Sequence, residues 1–176
     1  MNILIEALWF ILPAYFANSM PVNVSKLRAL QRYGWPIDFG KRIFGKRIFG
    51  DGKTWRGILA GLFGGISMAF LQSHFQPQIS AALPPMTMHL GFILGAGALA
   101  GDLAGSFVKR QANIERGGFV PLLDQLDFIA GALFFAWLFA YIPSYEQIAI
   151  LIIVTPVIHL GGNWVAWAGG LKKNPW

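Results

Sequence analysis

GDLAGSFVKRQANIERGGFVPLLDQLD, residues 101–127, decides how this chain is read. Three aspartates, Asp102, Asp124 and Asp127, stand at or inside apolar segments. A short cationic stretch with Lys109, Arg110 and Arg116 joins the two halves. A carboxylate within an apolar helix costs on the order of 3 kcal/mol on insertion scales. Each of these acids therefore needs a partner, a metal ion or a proton.

The surrounding sequence sets the solvent. The chain has 176 residues, is 55% hydrophobic and only 12% charged, and has a mean hydropathy of +0.52. A soluble domain carries roughly 25% charged residues. An integral membrane protein is the direct reading. There is no cysteine, which excludes disulfides, thiolate catalysis and cysteine-based zinc sites. The first apolar run lacks a basic leader and is as long as a spanning helix, so it reads as a span and not as a cleavable signal peptide.

Five apolar segments follow, about 3–24, 57–76, 86–108, 122–142 and 147–170. Each is near the roughly 20 residues a bilayer-crossing helix needs. The expected fold is an all-α integral membrane protein with five transmembrane helices, forming one catalytic domain over residues 1–176. Gly61, Gly64 and Gly65 give the second segment a close-packing face. With five spans, the loops 25–56 and 109–116 and the tail from Lys172 fall on one side, and all 14 Lys and Arg residues lie there. The positive-inside rule makes that side cytoplasmic. It places the N-terminus outside and the C-terminus in the cytoplasm, with cytoplasmic loops at about 25–56 and 109–121. Topology and phosphate binding account for the net charge of +6, and no nucleic-acid partner is expected.

The long loop contains a tandem repeat, KRIFG-KRIFG, residues 41–50. Ile43, Phe44 and Phe49 among Lys and Arg read as an interfacial segment at the lipid headgroups. The run GDGKTWRG, residues 50–57, is less well explained by anchoring, because turn glycines surround a cluster of donors. It is not a P-loop: that motif needs glycine where Arg47 stands, and this segment leads into a membrane helix.

Spacing brings the acids together. Asp102, Ser106 and Lys109 are spaced i, i+4, i+7 and share a helix face. Asp124 and Asp127, at i, i+3, share another. The short connection makes the two helices antiparallel neighbours. Three converging carboxylates form a hard-oxygen site suited to one or two Mg²⁺ ions. Plainer readings stand beside it: a bundle salt bridge for Asp102, and a favourable helix dipole for Asp124 and Asp127. Lys53, Arg56, Lys109, Arg110 and Arg116 suit a polyphosphate bridged to the metal. Asn18, Asn163 and His159 lie at matching depth, as a polar layer of an inward-opening pocket or as helix–helix contacts. His74 and His89 have no ligand spacing.

The run GDLAGSFVKR and the later LLDQLDF resemble the membrane cytidylyltransferases that make CDP-activated lipids. Ser106, Lys109, Arg110, Asp124 and Asp127 fit the skeleton of CDP-diacylglycerol synthases. Glu115-Arg116, Pro121-Leu122-Leu123 and Gln125 depart from it. A fuller likeness covers nearly the whole chain. The segments 36–40, 50–57 and 122–128 and the tail 172–176 are similar to the archaeal CDP-archaeol synthase family. That family transfers CMP from CTP to a phosphorylated glycerol diether carrying two geranylgeranyl chains, with Mg²⁺. The resemblance implies a multi-pass enzyme of the cell membrane whose active site faces the cytoplasm, with CTP and a phosphorylated diether lipid as partners. It implies Asp102, Asp124, Asp127 and Lys109 as catalytic residues, the three aspartates holding metal. It implies Lys53, Arg56, Lys109 and Arg110 as contacts to triphosphate or lipid phosphate, and together with the polar layer the expected nucleotide contacts are Asp51, Lys53, Thr54, Arg56, Ser106, Arg110, Asn18 and Asn163.

Rival readings are a CTP-dependent polyprenol kinase, which transfers the γ-phosphoryl group, and an ion-coupled transporter with Asp102 as relay. Against the transporter, the acids gather at one end and no inverted repeat is evident. A non-catalytic scaffold leaves the clustered aspartates without a purpose.

Overall fold

Polar caps set where the helices begin. Asn2, Thr54, Thr87 and Ser144 each accept a hydrogen bond from a first-turn amide, satisfying donors a helix leaves open. In the computed structural model, which describes residues 2–170, they start α1 (Ile3–Ser25), α2 (Trp55–Ile79), α3 (Met88–Gln111) and α5 (Tyr145–Ala168). A fifth helix, α4 (Leu123–Leu138), lies between α3 and α5. The protein is thus all-helical in its main body, with each helix within a few residues of its expected segment. Among the described residues, α1, α2, α3 and α5 are long and apolar enough to cross a membrane. The fourth is shorter than expected. Its 16 residues span about 24 Å, against a hydrocarbon core of roughly 30 Å. The chain leaves the helix where Ala140 takes a φ of 62° and Tyr141 N–H reaches back to the Ala136 carbonyl.

Small residues hold the bundle together. A Cβ on Gly131 would stand 2.2 Å from the Gly97 carbonyl oxygen, and one on Gly101 2.1 Å from that of Asp127, so α3 and α4 meet backbone to backbone. On α2, a Cβ at Gly61 would lie 2.7 Å from the Ala17 carbonyl, and Gly65 faces α1 and α3 together. The buried core runs through Ala7, Ile11, Ala14 and Ala17 of α1, Leu94 and Ala98 of α3, and Phe128, Ala132 and Ala136 of α4. The last helix packs peripherally, leaving Ile153, Val157 and Val165 exposed. In water such a surface would be unstable; towards lipid it is matched.

Proline inside α1 leaves a carbonyl to satisfy. Pro13 has no N–H to offer the Trp9 carbonyl four residues earlier. Gln72 of α2, buried, donates to it instead at 2.7 Å.

The basic loops meet at one end of the bundle. Between α1 and α2 lie a 3₁₀ helix (Arg28–Tyr33) and a hairpin of β1 (Arg42–Ile43) and β2 (Lys46–Arg47), pairing Arg42 with Arg47 and Ile43 with Lys46. The KRIFG repeat is therefore a hairpin, its two copies on opposite strands. Phe44 and Gly45 form the two-residue turn, both at positive φ, which matches the strand twist. Lys46 donates to the Gln111 carbonyl, and Gln111 Nε2 to that of Arg47 at 3.3 Å, fastening the hairpin to the end of α3. The tail 172–176, on which part of the topology and of the resemblance rests, lies outside the described residues.

Candidate active site

Asp38 organises the loop that reaches the acids. It is 4% exposed. Its Oδ1 accepts from Arg47 Nη2 at 2.7 Å and Gly40 N at 3.1 Å. Its Oδ2 accepts from Phe49 N at 3.0 Å and Gly50 N at 2.9 Å. Burial pushes the carboxyl up, but Arg47 and these backbone amides outweigh it and hold Asp38 well below the usual carboxylate range. Arg47, bonded to Asp38 and also to Asp51 at 2.7 Å, is held above the usual arginine range. A second tie is the bridge between Pro36 and Thr54, with Ile37 N–H donating to the Lys53 carbonyl at 2.8 Å. Between these ties the glycine-flanked segment Gly50-Asp51-Gly52-Lys53 is presented to the C-terminal part of α3 and the N-terminal part of α4.

There Lys53 forms an ion pair with Asp102. Lys109 pairs with Asp124 at 2.5 Å, and Asp124 Oδ2 also accepts from Val120 N at 3.0 Å. Asp127 lies within Coulombic reach of Asp102, Asp124 and Lys53. It fits only because α3 carries no side chain at Gly105, where a Cβ would stand 2.2 Å from Asp127 Oδ2. Asp102, Asp124 and Asp127 thus line one cavity, with a lysine at two of them. Among the described residues, no three acidic or histidine side chains close into a metal cage.

Two cavities adjoin at Lys53 and Lys109, the lysines paired with Asp102 and Asp124. The smaller, about 350 Å³, is cationic: Arg47, Lys53, Lys109, Arg110 and Arg116 surround it, with Ser106 and the glycines at 50, 52 and 117 between them. Arg110 Nε is buried there without a hydrogen-bond partner. The larger, about 900 Å³, holds the three aspartates, Lys53, Thr54 and Lys109, and extends between α1 and α5 past Asn18, His159 and Asn163. Lys53, Lys109, Arg116 and the glycines at 52 and 117 border both.

Asn163 approaches His159 Nδ1 at 3.3 Å, and the His159 ring packs near Phe128. Thr54 caps α2 through the Gly57 amide. Asp51 is exposed on the cationic rim. Arg56 turns away from both cavities: its Nη1 donates to the Leu30 carbonyl at 2.6 Å, and its guanidinium lies against Gly34.

A family model described as CarS-like, CDP-archaeol synthase, matches residues 1–176. The chain belongs to the CDP-archaeol synthase family. Among curated members, the CDP-archaeol synthase of Pyrococcus horikoshii is 46% identical over 177 residues, covering 100% of this chain and 99% of the relative. That of Archaeoglobus fulgidus is 40% identical over 185 residues, at 100% and 99% coverage. A solved structure described as an intramembrane enzyme for archaeal membrane lipids biosynthesis superposes with a TM-score of 0.76 at 38% identity, covering 92% of this chain and 94% of that one. Membership in the CDP-archaeol synthase family fits a multi-pass, all-helical protein with an acidic and cationic site at one end.

Sequence reading did not find Asp38 or Arg47 as site-building residues. One signal was present: Asp38 is the one acid between α1 and the repeat, amid six basic residues from Lys26 to Arg42 and Lys46. Nor did it find the spacing Gly97, Gly101, Gly105 along which α3 meets α4, with Gly105 as the seat of the Asp127 side chain.

Proposed function

We propose that the protein transfers CMP from CTP to a phosphorylated isoprenoid glycerol diether, giving a CDP-archaeol-type lipid and pyrophosphate. As a member of the CDP-archaeol synthase family it is a membrane cytidylyltransferase of archaeal lipid biosynthesis. The finer reading rests on one observation: a cationic chamber, an acidic wall and an apolar slot adjoin in that order. The chamber suits a triphosphate, since clustered Lys and Arg make strong charge-assisted bonds to phosphate oxygens. The slot is lined from Leu8 to Ser25 along α1, about 25 Å of helix at 1.5 Å per residue, with Leu12, Phe16 and Ile158 facing into it. A concave, largely apolar surface of this length suits an isoprenoid chain.

The lipid phosphate oxygen attacks the α-phosphorus of CTP. The bond from that phosphorus to the β-bridging oxygen breaks, and pyrophosphate leaves. The nucleophile is already an anion, so no dedicated base is required. Lys53, Lys109 and Arg110 bind and orient phosphate groups, and Ser106 offers a hydroxyl beside them. The carboxylates of Asp102, Asp124 and Asp127 are hard-oxygen donors on one wall. They fit Mg²⁺, which takes one or two carboxylates and completes its shell with phosphate oxygens and water. Asp102, Asp124 and Asp127 would hold one or two Mg²⁺ ions, which would supply charge stabilisation for the phosphoryl oxygens and the leaving group. The basic end of the bundle is the cytoplasmic one by the positive-inside rule, which puts the N-terminus outside, the C-terminus inside and α4 as a short fifth crossing of a single catalytic domain.

Purified protein incubated with each nucleoside triphosphate, Mg²⁺ and a phosphorylated diether lipid tests the reading. Lipid-dependent pyrophosphate release with CTP is expected. Release of CDP instead, the mark of γ-phosphoryl transfer by a polyprenol kinase, would overturn it.

A further inference from the structure

The two copies of the KRIFG repeat have different fates. The second turns inward: Lys46 is bonded to Gln111, Arg47 to Asp38, and the Phe49 and Gly50 amides to Asp38. The first turns outward. Phe44 is 93% exposed at the hairpin tip, Phe39 just before the repeat is 66% exposed, and Lys41 and Arg42 stand exposed between them. Among the described residues neither cation has an ion-pair partner; Arg42 bonds only the Gly45 carbonyl across its own turn, at 3.1 Å.

The backbone works against this display. Phe39 and Phe44 have φ of 46° and 51°, each followed by a glycine at positive φ. Asn, Asp and Gly occupy such positions readily, and a bulky aromatic does not. A Cβ at Gly40 or Gly45 would meet nothing within 4 Å, so the outer side of each turn is open. Strained turns that present aromatics to no internal partner point to an external one.

We infer that the hairpin tip is an anchor in the surface of the bilayer that holds the helices: Phe39 and Phe44 enter the headgroup layer, and Lys41 and Arg42 meet anionic lipid phosphates. Aromatic and aliphatic side chains beside unpaired cations are the composition that binds an anionic interface. Tyr33, Trp35 and Trp55, all exposed at the same end, extend the aromatic rim. The anchor is rigidly joined to the site, because Asp38 bonds Gly40 on the outward side and Gly50 on the inward side. The lipid surface thereby sets the position of Lys53.

The chain has no cysteine, so Phe44→Cys offers a single labelling site. A nitroxide there is read in nanodiscs of neutral and of anionic phospholipid, by collision with oxygen, which concentrates in lipid, and with a water-soluble nickel chelate. Phe39→Cys repeats the measurement with Phe44 intact, and Glu115→Cys serves as the water-exposed reference. At 39 and 44, relaxation dominated by oxygen is expected, rising with anionic lipid. Lys41→Gln and Arg42→Gln should each lower the ratio of inserted to free tip roughly fivefold in anionic discs. Nickel-dominated relaxation at both positions in every membrane would overturn the inference. So would spin–spin broadening that disappears on dilution with unlabelled protein, which would assign the tip to a second copy.

Discussion

Asp127 occupies the space above Gly105: a Cβ on that glycine would stand 2.2 Å from the carboxylate Oδ2 and 3.0 Å from Asp127 Cβ. The contact is to the carboxylate and the root of its side chain, so the acid cannot swing aside cheaply. Gly105→Ala should therefore displace Asp127 or part α3 from α4. Overpacking of this kind costs about 1–3 kcal/mol, and a catalytic group moved by about 1 Å can lose on the order of 100-fold in rate. CTP-dependent pyrophosphate release should fall by that order while the protein still purifies as a helical membrane protein. Unchanged turnover would show that Asp127 does not need its seat.

The ion pairs Lys53–Asp102 and Lys109–Asp124 place each acid beside the cation expected to hold phosphate. If the carboxylates carry metal, neutralising one removes charge stabilisation that matters most in the transition state. Asp124→Asn and Asp127→Asn should each lower turnover by roughly 10²–10³-fold. Both should still insert and bind detergent like the parent. Parental turnover in either variant would refute the metal role.

Much of this was legible because membranes restrict the options. Apolar length located the helices, and helical periodicity placed Asp102, Ser106 and Lys109 on one face. What escaped depended on contacts distant in sequence. The pairing of Lys53 with Asp102 joins residues 49 apart, and nothing local to either marks the other. The repeat reads as one interfacial segment, because composition is blind to which copy of an identical unit faces inward. That choice is made by Asp38, which captures the second Arg and not the first. Arg56 fell with the donor cluster by spacing, yet its guanidinium serves the Leu30 carbonyl.

The Asp38 anchor carries a pH dependence of definite sign. An aspartate in an unfolded chain titrates near 3.9. Asp38 is held below that, so it stabilises the ordered loop above about pH 4, and the contribution is lost as pH falls towards its depressed folded value. Hydrogen exchange at the Phe49 and Gly50 amides, both bonded to Asp38, reads this locally. Relative to intrinsic rates, protection should be flat above about pH 5 and decline by up to tenfold per unit below about pH 4. In Asp38→Asn it should be lower at neutral pH, by about 2 kcal/mol for a charge-assisted bond, and nearly flat. Wild-type protection that stays constant down to pH 2 would contradict the account.

Gln72 and Pro13 should be coupled through the Trp9 carbonyl. Pro13 frees the Trp9 carbonyl, and Gln72 Nε2 is its donor at 2.7 Å. Gln72→Leu leaves that carbonyl without a partner in an apolar interior, at a cost of about 1 kcal/mol for a bond of this kind within a membrane bundle. Pro13→Ala restores an amide at position 13, and the helix can then close its own bond to Trp9. In the double variant the Gln72→Leu penalty should shrink towards zero, which a steric or packing origin would not predict. Thermal unfolding of the four proteins in one detergent gives the cycle. Equal penalties in both backgrounds would mean that Gln72 is retained for shape, since its Oε1 is itself buried without a partner, and not for the carbonyl that proline set free.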